Sequence, residues 1–314
     1  MAPAGTDRPF VAYSPDSFFR MPLPAMAPIS ATSAEGIRYA KANNSKPYPT
    51  IRGVQGNPWG QAFAIGRCTD PIWKISATGS VVPASQRHLR DVGFHAPEGW
   101  AESIPDNSDA PFLVIDRCGT AARPGGLSVW GANAAVSGRT VVSGESGTLA
   151  VGSFAHDTNG LDRRNPRTNS RLNERSRGCI PDAMVIRDDL LDWAIANNTG
   201  LGHVLHMFWN KSDSIAGVVH PMVGCEKPRY GYGAQGERIR VKASVDLDAR
   251  KCNPVGRAIA KTLQQHGAYL GDTSGGNSGF KAQQGSTYPG LTIEVLKGCV
   301  TWDDMEFIQR GWDG

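Results

Sequence analysis

The sequence contains no stretch of 18 apolar residues, so we expect no transmembrane helix. The N-terminus has no basic segment followed by an apolar one, which predicts that a secretory signal is absent or was removed before residue 1. No DNA- or RNA-binding motif is present, and a formal net charge of +4 is too small to indicate a nucleic-acid partner. These absences favour a globular protein without a membrane span.

Cysteine is present but sparse, and none of the six residues forms a CxxC pair. They are Cys68, Cys118, Cys179, Cys225, Cys252 and Cys299. An even number fits disulfide bonds in an exported protein, although the sequence cannot choose among the possible pairings. The alternative is a set of unpaired, mostly buried thiols in a protein made in the cytoplasm.

Glycine and proline are frequent, with 37 and 21 residues, and they separate many short apolar runs. This pattern predicts a mainly β fold: a sandwich or jelly-roll-like body with about four short flanking helices. Residues 1–32 are rich in proline, alanine and serine, and we expect them to form an extended arm along the body. Residues 33–314 are expected to form a single β-rich domain.

Several elements can be placed from local patterns. Helices are predicted for 34–43, after Ser33 as the N-cap, for 186–197, and for a segment that opens at Asn253-Pro254. Residues 112–116 read as a buried strand.

Three further segments are predicted in the second half. Residues 238–247 alternate apolar and polar side chains, which predicts a strand with one face in water. Residues 215–220 read as a short strand, and 303–309 as a terminal helix.

The second half also carries a recognisable order of motifs, together with Asp16-Ser17-Phe18-Phe19 and Met21-Pro22-Leu23-Pro24 near the start. The motifs are Gly202-His203-Val204-Leu205, His220-Pro221-Met222, Gly236-Glu237-Arg238-Ile239-Arg240-Val241, Gln265-His266-Gly267-Ala268-Tyr269-Leu270-Gly271-Asp272 and Trp302-Asp303-Asp304. This order resembles a family of mostly exported proteins of actinobacteria and related bacteria, some encoded by their phages, that has no firmly assigned activity. The resemblance implies a β-rich protein in an extracellular or virion setting.

The chain departs from that family before its central strand. The family has Asp-Gly-His there, whereas this chain has Asp109-Ala110-Pro111-Phe112. The family histidine is therefore absent here, and the resemblance carries over no catalytic residue.

Four residues are candidates for catalysis: His156, Asp157, His203 and Glu226. Glycoside hydrolysis needs two carboxyl groups that face one bond. A polysaccharide lyase needs a base such as histidine and a cation that neutralises a uronate carboxylate. The alternative interpretation is that the acids are solvated loop residues that cap turns.

An Arg-rich stretch, residues 157–177, follows an apolar β-like run. We predict that Arg163, Arg164, Arg167 and Arg171 bind ligand, since arginine matches carboxylate, sulfate and phosphate groups. The stretch could equally form a subunit interface or a solvated loop. Trp100, Trp130 and Tyr230 are predicted as stacking platforms for sugar rings.

Other sites are not favoured. His203 and His206 are three residues apart, but on a strand they would face opposite sides, so we predict no metal site. The segment 143–147 lacks the spacing of a serine nucleophile elbow, and 271–279 lacks the lysine of a phosphate-binding loop. No cofactor is predicted.

The leading hypothesis is recognition of an anionic cell-surface or extracellular polysaccharide by an exported or phage-virion protein, such as a minor tail protein. One alternative is a carbohydrate-active enzyme, either a glycoside hydrolase or a polysaccharide lyase. A second is a structural virion or surface subunit, which would form a homo-oligomer or dock on a neighbouring subunit.

Overall fold

The computed structural model describes residues 8–76, 80–81, 87–119, 125–160, 184–222, 224–226 and 230–312. Within these residues the protein is mainly β, with three sheets and four α-helices, which confirms the predicted fold class. The predicted ligand-binding arginines Arg163, Arg164, Arg167 and Arg171 lie outside the described residues.

The elements of the fold are short. The strands are β1 (Thr50–Val54), β2 (Ala62–Gly66), β3 (Ile72–Ile75), β4 (Ser80–Val81), β5 (Phe94–His95), β6 (Phe112–Asp116), β7 (Leu127–Ala132), β8 (Ala134–Ser137), β9 (Thr140–Ser143), β10 (Leu149–Ala155), β11 (Leu205–Asn210), β12 (Arg238–Val241), β13 (Ala268–Ser274), β14 (Gly279–Ser286) and β15 (Met305–Phe307). The α-helices are α1 (Ser33–Asn43), α2 (His88–Asp91), α3 (Asp188–Ala196) and α4 (Pro254–Gln265).

The largest sheet has six strands in the order β1-β14-β11-β13-β12-β15. β1 is parallel to β14 and β11 is parallel to β13, while the other neighbours are antiparallel. A five-stranded sheet has the order β2-β6-β7-β10-β4, and a four-stranded sheet the order β5-β3-β9-β8. The start of β2 meets β14 through a bridge between Gln61 and Gln283, which brings the two larger sheets together.

Helices cover one face of the six-stranded sheet. Ile37 of α1, Leu190 of α3 and Ile259 of α4 pack in one core with Trp209 and Phe280 of the sheet. All five side chains are at least nine-tenths buried. Their burial is the main stabilising contribution in this half of the molecule.

The helix α4 begins where the sequence predicts. Pro254 occupies the first turn, and the side chain of Asn253 accepts a hydrogen bond from the backbone N–H of Gly256 at 2.6 Å. This cap satisfies a donor that the helix itself leaves unpaired. The buried strand predicted at 112–116 is β6, whose five residues are all buried.

The opposite face of the six-stranded sheet packs toward the five-stranded sheet, and side chains of the N-terminal segment (residues 8–32) lie in the cluster between them. Tyr13 and Phe19 of that segment pack with Trp130 and Phe154 of the five-stranded sheet and Tyr269 of β13. The rings of Phe19 and Tyr269 are 6.2 Å apart and edge-on. The N-terminal segment therefore contributes buried side chains to the protein interior, while a domain boundary at residue 32 stays a prediction.

Buried arginines bind the backbone of this segment. Arg240 donates to the carbonyls of Pro24 at 2.8 Å and Ala25 at 2.9 Å. Arg238 donates to the Met21 carbonyl at 3.2 Å. An extended segment without a partner strand leaves its carbonyls unpaired, so these side chains take the place of a neighbouring strand.

The prediction of a half-solvated strand at 238–247 is wrong in two respects. β12 ends at Val241, and all four of its residues are buried. Arg238 and Arg240, expected to face water, are 6% and 2% exposed. The N-terminal segment covers the polar face of the strand. Its carbonyls accept hydrogen bonds from both guanidinium groups, which also donate to the His266 carbonyl and the Glu306 carboxylate.

Two other predicted elements differ in the structure. The segment predicted as a terminal helix contains only one 3-10 turn, Trp302–Asp304, followed by β15. Ile239 of β12 pairs with Phe307, so tertiary strand pairing overrides local helix preference. Residues 215–220 form no strand, and only Val218 makes an isolated bridge, to Gln235.

Two disulfide bonds are present in the described part of the chain. Cys68–Cys118 joins the segments that follow the parallel strands β2 and β6, and Cys252–Cys299 ties the start of α4 to a loop. Disulfides are typical of proteins outside the reducing cytoplasm, so the interpretation of six free thiols is wrong. No helix among the described residues is long and apolar enough to cross a membrane.

The arginine contacts with the N-terminal segment can be tested by replacing Arg240 with methionine. The change removes two hydrogen bonds to carbonyls and leaves Glu306, which Arg240 contacts at 2.8 Å, without its cation. We expect the free energy of unfolding to fall by about 2–4 kcal/mol, measured by urea denaturation followed by circular dichroism. The exposed Arg38, replaced by methionine, is the control and should change it by less than about 0.5 kcal/mol. Equal losses in both variants would contradict this role.

Candidate functional site

A cavity of about 400 Å³ opens beside β13 and is the candidate site. Its lining comes from the six-stranded sheet, the connection between β1 and β2, and the loop before β6. The lining residues are Arg52, Trp59, Ser108, Asp109, Phe208, Glu226, Asp272, Thr273, Ser274, Gly275 and Gly276. Volumes of this size are typical of sites for small molecules, and here several polar groups surround aromatic rings.

Glu226 is fixed in this cavity by hydrogen bonds from two directions. Its Oε2 accepts from the backbone N–H of Thr273 and from the Gln235 amide, both at 2.8 Å. The Gln235 side-chain oxygen in turn accepts from the Glu226 backbone N–H at 3.1 Å. Gln235 is 1% exposed, so the contact is rigid. Two N–H donors therefore fix one oxygen of the Glu226 carboxylate in place.

A bulge in β13 brings Asp272 to the cavity. Met207 of β11 pairs with Leu270, but the next residue, Phe208, pairs with Asp272 and skips Gly271. Leu270 belongs to the helix-covered core. In a regular strand, side chains two residues apart point to the same face. Without the extra residue, the side chain of Asp272 would therefore face the same core as Leu270. The bulge instead places Asp272, which is 7% exposed, in the cavity beside Phe208.

The rim of the cavity carries an exposed tryptophan. Trp59 is 39% exposed, and its backbone N–H donates to the Asn57 side chain at 3.1 Å. The guanidinium of Arg52 donates to the Asn277 carbonyl, and burial lowers the pKa of Arg52. Asp109 reaches the cavity from the loop before β6, where its backbone N–H donates to Asn107. Trp59 and Asp109 are thus held by hydrogen bonds within turns rather than by strand pairing.

Of the four predicted catalytic residues, only Glu226 lines this cavity. His156 and Asp157 follow the end of β10, and His203 precedes β11. His156 and His203 are 5% and 4% exposed, whereas Asp157 is exposed. The structure therefore does not bring the four residues together around this cavity.

The two buried histidines share one arrangement. The Nδ1 of His156 lies 2.9 Å from the Gly125 carbonyl, and the Nδ1 of His203 lies 2.7 Å from the Val204 carbonyl. A carbonyl only accepts, so Nδ1 carries the proton in both rings. Neither Nε2 has a hydrogen-bond partner among the described residues. Burial lowers the pKa of His156 to about 4 and that of His203 to about 3.

The predicted stacking platforms have different positions. Trp100 packs against Trp73 and Phe112, with ring centroids 5.5 and 5.4 Å away, and Trp130 is fully buried between the sheets. Neither ring offers a face to a sugar, because hydrophobic packing has placed both in cores. Tyr230 is 81% exposed but does not line the cavity.

No group of three or more histidine, cysteine, aspartate or glutamate side chains within the described ranges is arranged to hold a metal ion. His203 and His206, considered above as a ligand pair, are both buried. The cavity around Glu226 therefore has to be interpreted from its carboxylates, guanidinium and aromatic rings.

Sequence reasoning missed most of the site. Asp272, Phe208 and Arg52 lie on β13, β11 and β1, where alternation alone does not tell which face opens into a cavity. Gly271 was the available signal, since an isolated glycine in a strand pattern often marks a bulge. Trp59 lies between Pro58 and Gly60, a turn that could have marked it as an exposed loop aromatic.

Comparisons with known proteins do not assign the site. No protein-family model, no curated protein and no solved structure matches the chain. The resemblance drawn from the motifs of the second half stays a prediction.

The buried histidines predict a pH dependence of stability. Burial lowers the pKa of His266, like that of His156, to about 4, and that of His203 to about 3. An unfolded histidine has a pKa of about 6.5, so between that pH and about 4 only the unfolded state takes up these protons. The contribution of these three histidines to the free energy of unfolding is therefore fully present above about pH 6.5 and is lost as the pH falls. Each histidine contributes up to about 1.4 kcal/mol per pH unit.

Urea denaturation at steps between pH 7 and pH 5 measures this slope, in a window above the titration of ordinary carboxylates. A His203→Gln variant should show a shallower slope than the parent protein, because it lacks one of these buried histidines. An unchanged slope in the His203 variant would show that this histidine is not buried in its neutral form.

Proposed function

We propose that the protein binds a saccharide unit of a cell-surface or extracellular polysaccharide in the cavity around Glu226. The observation that carries the proposal is the convergence of Trp59, Phe208 and the carboxylates of Glu226 and Asp272 on one opening. Sugar rings present apolar C–H faces and hydroxyl edges. A site that binds them therefore needs aromatic surface and strong hydrogen-bond acceptors together.

The geometry of the carboxylates supports this choice. Thr273 and Gln235 hold Glu226 in position, and β13 holds Asp272. Carboxylates fixed before a ligand arrives accept hydrogen bonds from its hydroxyl groups at little cost in conformational entropy. The exposed Trp59 at the rim offers a surface on which a sugar ring can stack.

The proposed setting is extracellular or virion-associated. Two disulfides support it, since such bonds persist outside the reducing cytoplasm. A minor tail protein of a phage, or an exported protein of its host, would meet cell-wall glycans there.

Replacing Trp59 with alanine tests the binding proposal. With a panel of neutral and acidic oligosaccharides, isothermal calorimetry should detect binding by the parent protein. The variant should bind at least about tenfold more weakly. A tryptophan side chain that becomes buried under a bound ligand makes one of the strongest contacts in a binding site. Trp312, which packs on the separate cluster of Leu23, Ala27 and Ile308, provides a matched Trp→Ala control. If no oligosaccharide binds, the proposal fails.

A second candidate is hydrolysis of a glycosidic bond in the same cavity. The observation that favours it is the presence of two carboxyl groups, Glu226 and Asp272, on one opening, as such hydrolysis requires. A polysaccharide lyase is less well supported, since the bases His156 and His203 are buried away from this cavity. A purely structural subunit, docked through the Arg-rich stretch, stays a prediction.

Replacing Glu226 with glutamine separates hydrolysis from binding. The variant keeps the shape of the side chain but lacks a carboxylate. If the protein is a hydrolase, we expect release of reducing ends to fall by at least about a thousandfold, which is far more than the loss of binding caused by weakening one hydrogen-bond acceptor. A parent protein that binds the oligosaccharide but releases no reducing ends would leave binding as the function.

A further inference from the structure

We propose that the side chains of Lys281 and Gln61 form a covalent isopeptide bond that joins the two larger sheets. The bond links Nζ of Lys281, on β14, to Cδ of Gln61, the residue directly before β2. It forms within the chain itself, so it does not depend on whether the cavity around Glu226 binds a saccharide.

The backbone holds these two side chains next to each other. The Gln61 N–H donates to the Ala282 carbonyl at 3.0 Å, and the Gln61 carbonyl accepts from the Gln284 N–H at 2.9 Å. Gln61 also forms a β-bridge with Gln283. Lys281 directly precedes these partners, and its ammonium donates to the side-chain oxygen of Gln61 at 3.4 Å. The amine and the amide are thus already in contact.

The amide of Gln61 is fully buried, and one end of it lacks a partner. Its oxygen accepts from Lys281, but Nε2, which carries two N–H donors, makes no hydrogen bond to any described residue. Buried amides almost always pair their donors, because an unpaired buried donor is costly. Release of Nε2 as ammonia removes both unpaired donors.

The lysine is shielded from water as well. Lys281 is 3% exposed, and its ammonium lies 4.9 Å from the centroid of the Phe208 ring. Lys281 also interacts with other groups, so Gln61 is one of several partners that hold it. An amine held against an amide where water is scarce has a high effective concentration and little competition from hydrolysis.

The reaction exchanges one amine for another at the amide carbon. Nζ of Lys281 gives up two of its three protons and forms a bond to Cδ of Gln61. The bond between Cδ and Nε2 breaks, and Nε2 takes both protons and leaves as an ammonium ion, so atoms and charge balance. A carboxyl group can carry such protons, and Glu226 and Asp272 line the cavity beside Phe208.

The bond supplies a connection that the disulfides do not. Cys68–Cys118 joins two segments that follow strands of the five-stranded sheet, and Cys252–Cys299 ties the start of α4 to a loop. Neither links the six-stranded sheet to the five-stranded one. A cross-link between residues 61 and 281 closes a long loop of the chain, which restricts the unfolded state as a disulfide does.

The mass of the purified protein tests the proposal. After reduction and alkylation of the cysteines, the parent chain should be lighter than its sequence by one ammonia molecule. A tryptic digest should contain a branched peptide with Gln61 and Lys281, because trypsin does not cleave after an acylated lysine. Tandem mass spectrometry identifies the linkage. A parent chain without the loss of ammonia would overturn the proposal.

The position of the loss has to be established, because asparagine followed by glycine also loses ammonia when it closes to a succinimide. Asn159-Gly160 is such a pair. The branched peptide distinguishes the two reactions. A loss of ammonia that maps to Asn159, with Gln61 and Lys281 in separate unmodified peptides, would overturn the proposal.

A Lys281→Met variant separates the covalent bond from a hydrogen bond. It should show no loss of ammonia and, after reduction, should migrate more slowly than the parent in a denaturing gel, because the long loop is no longer closed. Gln283→Met is the matched control on the same strand and should behave like the parent. Both measurements use denatured chains, so they do not require the variant to fold. Equal migration of the parent and Lys281→Met would contradict the bond, since a hydrogen bond does not survive denaturation.

Discussion

Hydrogen bonds from two buried arginines of β12 to backbone carbonyls hold the N-terminal segment against the six-stranded sheet, and aromatic rings of the segment pack toward the five-stranded sheet. The segment cannot join a sheet in the ordinary way, because its prolines and turns interrupt any regular ladder. Arg238 and Arg240 supply the missing donors, and both are almost fully buried. Burial of these charges is tolerable only because each guanidinium group is hydrogen-bonded.

The same segment determines which faces of the six-stranded sheet are available. One face is covered by α1, α3 and α4. On the other face, Tyr13 and Phe19 fill the space toward the five-stranded sheet. The cavity around Glu226 lies farther along β11 and β13, near their carboxyl ends, where Phe208 and Asp272 replace the packed aromatic rings.

Much of the fold could be predicted, because its signals are local. The cap at Asn253-Pro254 and the apolar run of β6 depend on a few neighbouring residues, and both occur in the structure. The predictions that failed depend on distant contacts. Alternation in Arg238–Val241 gives the two faces of the strand correctly, but it does not reveal that the N-terminal segment covers the polar one. Whether a polar face meets water or other protein atoms is decided by tertiary packing.

The candidate site was less predictable than the fold for a related reason. Glu226 was predicted as a catalytic acid, and in the structure Gln235 and Thr273 both donate hydrogen bonds to its carboxylate. A site of this kind depends on the register between β11 and β13. One inserted residue, Gly271, changes which side chain of β13 faces the cavity. Composition and spacing identify residue types, but they do not predict the register between the two strands.

The position of Asp272 links the site to the N-terminal segment. Phe19 packs edge-on against Tyr269, which lies three residues before Asp272 on β13. The backbone N–H of Thr273, the next residue, binds the carboxylate of Glu226. One end of β13 therefore contacts the N-terminal segment through Tyr269. The other end carries Asp272 and the backbone N–H of Thr273 that binds Glu226. Since a packed strand transmits displacement along its length, loosening of the segment would disturb the spacing of Glu226 and Asp272.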